Sequence, residues 1–261
     1  MRVFRKFHFR KEVLGGGILA MAVLVGVMFL SPVAERVNSF ATGNLERKLP
    51  IYCVQTDEPK VSVSFDAAWG ADDTDELLRI LADNEVKATF FLCGTWVEKY
   101  PEEVKKIANA GHDLGNHSAT HPHMSQLSKE EIAKELQVCH DAVKELTGID
   151  MDLFRPPFGE YDNAVIEAAK ENGYHTIQWD IDSLDWKEPG VEAEIKQVLE
   201  HKHLGNGSII LFHNDAKDTP QALDPILKGL KQKGFEIVPV SQLIHKGEYE
   251  MDHEGRQIPK Q

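Results

Sequence analysis

The sequence predicts an α/β fold on a parallel sheet, either a barrel or a doubly wound sheet. After Lys60, apolar runs of β type alternate with amphipathic helical stretches about seven times. The helical stretches gather their apolar residues on one stripe. The unusual polar residues fall at one end of this alternation, where parallel α/β folds build their sites.

Residues 1–12 form a basic segment with Arg2, Arg5, Lys6, Arg10 and Lys11, in a chain of 261 residues whose formal net charge is -13. An acidic body excludes a nucleic-acid partner, because displacing counterions from a polyanion needs clustered Lys and Arg. Residues 13–30, VLGGGILAMAVLVGVMFL, are uncharged and predict one N-terminal transmembrane helix. Basic residues ahead of it orient the bulk of the protein outside the cytoplasm. An uncleaved anchor fits better than a cleaved signal peptide, whose apolar run is shorter and whose cleavage site Pro32-Val33-Ala34 matches poorly. Residues 31–59 are polar and aperiodic and read as a linker.

The domain is expected over residues 60–244. Strand candidates are VSVSF, ATFFL, HDLGN, DLFRP, YHTIQWDI, SIILF and FEIVPV, and TDELLRILAD, PEEVKKIANA, NAVIEAAKEN, EAEIKQVLEH and TPQALDPILKGLKQ are helices between them. The clearest helix starts at Ser128 with Glu131 completing a capping box, and stripes Ile132, Leu136, Cys139, Val143 and Leu146. Cys53, Cys93 and Cys139 have spacings that suit neither a disulfide framework nor a metal knuckle, and Cys93 and Cys139 read as core thiols. Residues 245–261 read as a polar, frayed tail, with His245 and His253 too isolated to be ligands.

Asp66 ends the first strand, His117 and His121 follow the third, Arg155 ends the fourth, Asp182 and Asp185 follow the fifth, and His213 ends the sixth. His117 and His121, four apart, would present both imidazoles to one metal if they lay on a helical turn, and His123 adds a third ring nearby. Two polar surface histidines are the alternative. Asp66 can serve as a general base, or simply cap the following turn. Arg155, in RPPFGEY, can pair with a carboxylate, and the prolines stiffen the backbone beyond it. Trp186, in DSLDW, offers a platform for a sugar face or a core ring near a turn. His213 shares the rim with these groups, which favours an acid catalyst over a structural histidine.

With those blocks in hand, the chain resembles the polysaccharide deacetylase family, carbohydrate esterase family 4 with its NodB homology domain. SFDAAWG, HSATH, RPPFGEY, DSLDW and ILFHN appear in the family's order. FDAAWG behind an N-terminal anchor looks most like the sporulation-type PdaB deacetylases. The resemblance implies a distorted (β/α)7 barrel and metal-dependent removal of N-acetyl groups from cell-wall glycan such as peptidoglycan. It implies a divalent metal, zinc or cobalt, on His117 and His121, with Asp66 as base and His213 as acid. Arg155 would pair with Asp66, Asp182 would orient and charge-tune His213, and the backbone N–H of Phe158 would hold the oxyanion. A membrane-anchored, extracytoplasmic enzyme in the forespore or spore envelope is the implied location.

Where the family pattern reads Phe-Asp-Asp-Gly, this chain has Phe65-Asp66-Ala67-Ala68. Ala67 therefore replaces a carboxylate ligand, and metal binding is expected to be weak or absent unless Asp72 or Asp73 substitutes. In the competing reading one of those acids caps the helix near Thr74 and the other is solvated. Two rivals to the enzyme follow: a degenerate domain that binds glycan, and a hydrolase of another amide on the same fold.

Overall fold

The computed structural model describes residues 47–260. The expected membrane helix at 13–30, the basic segment and the first part of the linker lie outside them. Among the described residues no helix is long and apolar enough to cross a membrane.

In chain order the elements are β1 (Cys53–Val54), β2 (Lys60–Ala67), α1 (Thr74–Asp83), β3 (Thr89–Leu92), α2 (Gly94–Lys99), α3 (Pro101–Asn109), β4 (Asp113–Asn116) and α4 (Lys129–Thr147). There follow β5 (Leu153–Phe154), α5 (Asn163–Glu171), β6 (His175–Thr176), β7 (Ile181–Asp182), α6 (Val191–Leu199), β8 (Ile209–His213), α7 (Thr219–Gln232), β9 (Glu236–Ile237), α8 (Val240–Leu243), β10 (Tyr249–Met251) and β11 (Arg256–Pro259). A parallel sheet runs β6-β5-β4-β3-β2-β8-β7, with β9 also paired to β2. With its helices it fits the distorted barrel that the family resemblance implies.

β2 shows how the sequence builds both sides of this sheet. Val61, Val63 and Phe65 point one way, as alternate residues must, and pack with Leu81, Phe90, Phe212 and Leu227 in a core that includes helix residues. Ser62 and Ser64 point the other way and are buried too, so each hydroxyl donates to a backbone carbonyl, of Val238 at 2.7 Å and of Ile210 at 2.8 Å. A second cluster joins Ile51, Val54, Phe91, Leu153, Ile177, Ile209 and Val238. Gly115 belongs there for a steric reason: a Cβ on it would meet the Phe91 ring at 2.4 Å.

α4 forms as its sequence demands. Ser128 Oγ accepts from Glu131 N–H, Glu131 returns the bond to Ser128 N–H, and Gly148 ends the helix in the left-handed region at φ 74°. Ile132, Leu136, Cys139 and Val143 are buried, and all three cysteines are free, buried thiols.

The structure corrects two boundaries. The expected linker is not wholly a spacer: the compact unit begins at Arg47, and Ile51, Cys53 and Val54 are buried. Those residues lie across the margins of the curled sheet. Ile51 N–H donates to Thr176 O at 2.8 Å, Gln178 N–H to Ile51 O at 2.7 Å, and Val54 N–H to Gly207 O at 3.0 Å. The expected frayed tail is also ordered. β10 and β11 pair antiparallel, β11 pairs parallel with β1, and Gln257 is buried with its amide bonded to His245 O at 2.7 Å.

Candidate active site

Strand register assembles the site. Between β2 and β8, Asp66 stands opposite His213, and adjacent strands lie about 4.8 Å apart. Asn116 of β4 pairs with Phe154 of β5, and His117 and Arg155 are the next residues of each strand. Asp66, His117, His121, Phe158, Asp182, Trp186 and His213 all line one cavity of about 470 Å3.

Arg155 is fully buried and holds Asp66. Its Nη1 donates to Asp66 Oδ1 at 2.7 Å, and its Nη2 donates to Ser64 Oγ at 2.9 Å and Gln178 O at 3.1 Å. The guanidinium lies 4.1 Å from the Phe91 ring centroid and 5.4 Å from that of Trp179, a stacked environment suited to Arg. Burial alone would raise the Asp66 carboxyl, but the charge of Arg155, helped by that of His213 and by the Arg155 hydrogen bond, outweighs it and keeps Asp66 below the usual carboxylate range.

His117 Nδ1 lies 2.7 Å from the backbone oxygen of Arg155. A carbonyl only accepts, so Nδ1 carries the hydrogen and Nε2, 3.7 Å from Asp66 Oδ2, presents a lone pair. The two histidines do not share a helical turn. Ser118 and His121 have positive φ, 68° and 59°, in a tight loop where Asn116 Oδ1 accepts from Ser118 N–H and Ser118 Oγ from His121 N–H. That loop brings the rings within 4.9 Å. Burial depresses both imidazoles, His121 to about 4, so both are neutral at pH 7. His123 does not line the cavity: it stacks on Phe158 at 4.5 Å and is bonded to Glu160 at 2.8 Å.

The residue that orients His213 is Asp185, not Asp182. Asp185 Oδ1 lies 2.8 Å from His213 Nδ1, and Asp185 Oδ2 accepts the His213 backbone N–H at 2.6 Å. Asp182 instead accepts from Leu184 N–H at 2.8 Å and, at 3.5 Å, from the Trp186 ring. Leu184 takes a left-handed conformation, φ 60°, that turns the chain so that Asp185 reaches back to β8. Burial would lower the His213 imidazole, but Asp185, with Asp66 and Asp182 adding their charge, carries it above its ordinary value. The site therefore pairs a stabilised carboxylate with a stabilised imidazolium.

The donor set does not fit a three-ligand metal centre. His117 and His121 offer two nitrogens, but Ala67 offers only a buried methyl. Asp73 does not replace it: it sits at the N-cap position of α1 without a capping bond, is absent from the cavity lining, and faces Asp215 and Asp72, which with burial raise its carboxyl. The loop before it is pinned, since Gly70 O accepts from the Trp96 ring at 2.5 Å and from Asn214 Nδ2 at 2.9 Å. Among the described residues no group of three His, Cys, Asp or Glu side chains is arranged to hold an ion, and hydrolytic zinc sites use three protein ligands.

Phe158 enters the cavity from a turn at φ 59°, preceded by Pro156 and Pro157. Its ring, with those of Trp69 and Trp186, is more than half exposed, and the three give the cavity an aromatic collar. Trp69, at 4.9 Å from His121, was missed in the sequence because it sits in a block read for its acids. Ser64 was missed because a strand serine beside Val63 carries no signal of its partner.

Comparison with known proteins places this arrangement in a family. Residues 54–177 match the family described as Polysaccharide deacetylase. The uncharacterized protein YlxY of Bacillus subtilis is 36% identical over 195 residues, which are 75% of this chain and 60% of YlxY. A peptidoglycan-N-acetylglucosamine deacetylase of Bacillus cereus is 35% identical over 200 residues, covering 73% of this chain and 91% of that protein. The crystal structure of BA3943 of Bacillus anthracis, a CE4 family pseudoenzyme, superposes with a TM-score of 0.72 at 31% identity, covering 80% of this chain and 70% of that one. With the motif blocks in order, the fold matched and relatives of this similarity, the chain belongs to the polysaccharide deacetylase family.

Proposed function

We propose that this protein is a hydrolase that removes N-acetyl groups from cell-wall glycan of peptidoglycan type. The observation that carries the reading is the pairing of Asp66, held by Arg155, with His213, held by Asp185, side by side in the lining of one cavity with exposed aromatic rings. An ionised carboxylate and a protonated imidazole lining one cavity are what amide hydrolysis needs. Asp66 accepts a proton from the attacking water, whose oxygen bonds to the acetyl carbon. The backbone N–H of Phe158 donates to the oxygen that becomes negative. His213 gives its proton to the sugar nitrogen, the C–N bond breaks, and acetate and a free amine leave.

Relatives named peptidoglycan-N-acetylglucosamine deacetylase and peptidoglycan-N-acetylmuramic acid deacetylase support the substrate class. Trp186, Trp69 and Phe158 suit the apolar faces of sugar rings. The two imidazoles make a two-donor site, so any divalent ion, zinc or cobalt, is expected to bind weakly. Acetate release from N-acetylated peptidoglycan and chitooligosaccharides, metal-stripped and resupplied, tests the reading, and no release from either glycan under any metal would sink it.

A second reading is favoured by one observation, the buried alanine in place of a ligand. A BA3943 mutant is a CE4 family pseudoenzyme with restored enzymatic activity, so an inactive form of that protein can be returned to activity by mutation. In that reading the domain grips glycan without turnover, and saturable binding without acetate release distinguishes it. The membrane anchor and extracytoplasmic location rest on the basic segment and the uncharged run at 13–30, and the sporulation role on the PdaB resemblance. Fractionation and the timing of expression test both.

A further inference from the structure

A buried chain of hydrogen bonds runs back from His213, away from the cavity. Asp185 bonds His213, Thr219 bonds Asp185, and Glu194 bonds Thr219. Glu194 lies on α6, Thr219 opens α7, and the carboxylate of Glu194 is fully buried. From geometry and hydrogen counting, we propose that Glu194 is a neutral, protonated acid that fixes the direction of this chain and acts as a positioning residue for His213. The role given to His213 rests on the deacetylase reading above; the proton order does not.

Thr219 Oγ1 lies 3.1 Å from Asp185 Oδ2 and 3.1 Å from Glu194 Oε1. A hydroxyl has one hydrogen and cannot donate to two ionised carboxylates. One of the two acids must therefore supply a hydrogen of its own.

The surroundings decide which. Asp185 is met by donors on both oxygens: Trp186 N–H at 2.7 Å and the His213 ring at 2.8 Å on Oδ1, and the His213 backbone N–H at 2.6 Å and Thr219 on Oδ2. That shell stabilises a carboxylate. Glu194 has Thr219 on Oε1, while its Oε2 is buried without a partner. An ionised Glu194 would leave a charged oxygen bare in the interior, which is far costlier than a bare neutral carbonyl. The groups facing Glu194 are Asp185 and Asp218, both acidic, and among the described residues no cation pairs with it. Burial, then the charge of Asp185, push its carboxyl up to about 7.

The hydrogens then have one consistent order. Glu194 Oε1–H donates to Thr219 Oγ1, Thr219 donates to Asp185 Oδ2, and His213 Nδ1–H donates to Asp185 Oδ1. The acids facing His213 directly are Asp185, Asp66 and Asp182, and a neutral Glu194 adds no fourth charge behind them. It holds the Thr219 hydroxyl on the far oxygen of Asp185, leaving the near oxygen to the ring.

The test is an NMR titration of the full chain, labelled at glutamate side-chain carboxyl carbons and histidine rings, compared with Glu194→Gln and Thr219→Val. At pH 6 the Glu194 signal is expected at the position of a protonated acid. Glu194→Gln keeps a donor toward Thr219, so the His213 titration midpoint is expected within about 0.5 pH unit of wild type. Thr219→Val removes the O–H on Asp185, and the midpoint is expected to rise by about half a unit. A Glu194 carboxylate signal at pH 6, or a His213 midpoint lowered by more than about 0.5 unit in Glu194→Gln, would overturn the proposal, because both mean that Glu194 is charged. If a variant fails to fold, the wild-type carboxyl signal decides alone. None of these readouts depends on turnover, so a protein that releases no acetate but shows a protonated Glu194 loses the deacetylase reading and keeps this one.

Discussion

Asp185 grips His213 at two points, with Oδ1 2.8 Å from the ring Nδ1 and Oδ2 2.6 Å from the same residue's backbone N–H. A carboxylate that engages ring and main chain together fixes both the tautomer and the rotation of the imidazole, leaving Nε2 as the free nitrogen.

Asp185→Asn is therefore expected to lower kcat by about 100-fold to 10,000-fold, the range associated with losing a general acid or its orienting partner. Asp182→Asn removes charge but no bond to the ring, and a loss of less than about tenfold is expected, roughly 1.4 kcal/mol. Steady-state kinetics of the two variants on one glycan checks the order. A larger loss for Asp182 would return the orienting role to it.

The pH profile follows from the direction of the His213 shift. His213 is raised above its ordinary value, so activity that needs the imidazolium is retained at low pH and lost as pH rises through the raised value, giving an alkaline limb above about 6.5. The stability from the Asp185 contact has the same sign: full below the unfolded value and lost through the folded one. In Asp185→Asn the limb is expected to move toward acid. A pH-rate profile of kcat for both proteins measures it.

Arg155→Met strands the Asp66 carboxylate in a site only 6% exposed. A loss of about 3–5 kcal/mol in unfolding free energy at pH 7 is expected, as for other buried pairs stripped of one partner. Asp66 is held below its ordinary value, so the stability it contributes exists above the unfolded carboxylate pKa and disappears as pH falls through the folded one. The gap between wild type and variant should narrow in acid. Urea unfolding at neutral and acidic pH gives both numbers.

Ala67→Asp adds a carboxylate where the family pattern has one. Ala67 is wholly buried at the end of β2, so the metal-free variant is expected to be less stable than wild type by about 1–3 kcal/mol, the cost of an unpaired buried polar group. Zinc should restore that loss and leave wild type little changed. Thermal unfolding with and without zinc reads both effects, and acetate release from the same samples tells enzyme from binder.

Shortening the chain tests the closure of the sheet. Compared with a chain starting at Arg47, one starting at Lys60 loses the buried Ile51 and Val54. Their side chains contribute about 1.5–3 kcal/mol each. Denaturant unfolding of both chains measures the difference, and equal stability would mean that the segment is only an overlay.

Much of this was legible in the sequence. TDELLRILAD and TPQALDPILKGLKQ form helices over the stretches read, because amphipathic periodicity agrees with the tertiary packing. YHTIQWDI was read as one strand and is two short ones, β6 and β7, because Gln178 between them pairs with Ile51. The tail failed for a different reason. Its strands share a small surface sheet held by backbone pairing, and Gln257, its fully buried side chain, is polar. Asp182 and Asp185 were both visible, but choosing between them depended on the left-handed Leu184, which no propensity signals. Glu194 carried no signal in the sequence, because only the packing of α6 against α7 buries it.

Five non-glycine residues with positive φ, Ser118, His121, Phe158, Leu184 and Glu188, follow the carboxyl ends of the strands. Each such conformation costs of order 1 kcal/mol or more for a residue with a Cβ. Selection for stability alone would replace some of them with glycine or asparagine, and the fold would gain from it. The side chains on this rim would then lose the backbone turns that aim them. The less stable choice stands along one edge of the molecule, so a variant library screened only for thermal tolerance should accumulate its gains at these positions and lose the proposed glycan recognition as it does so.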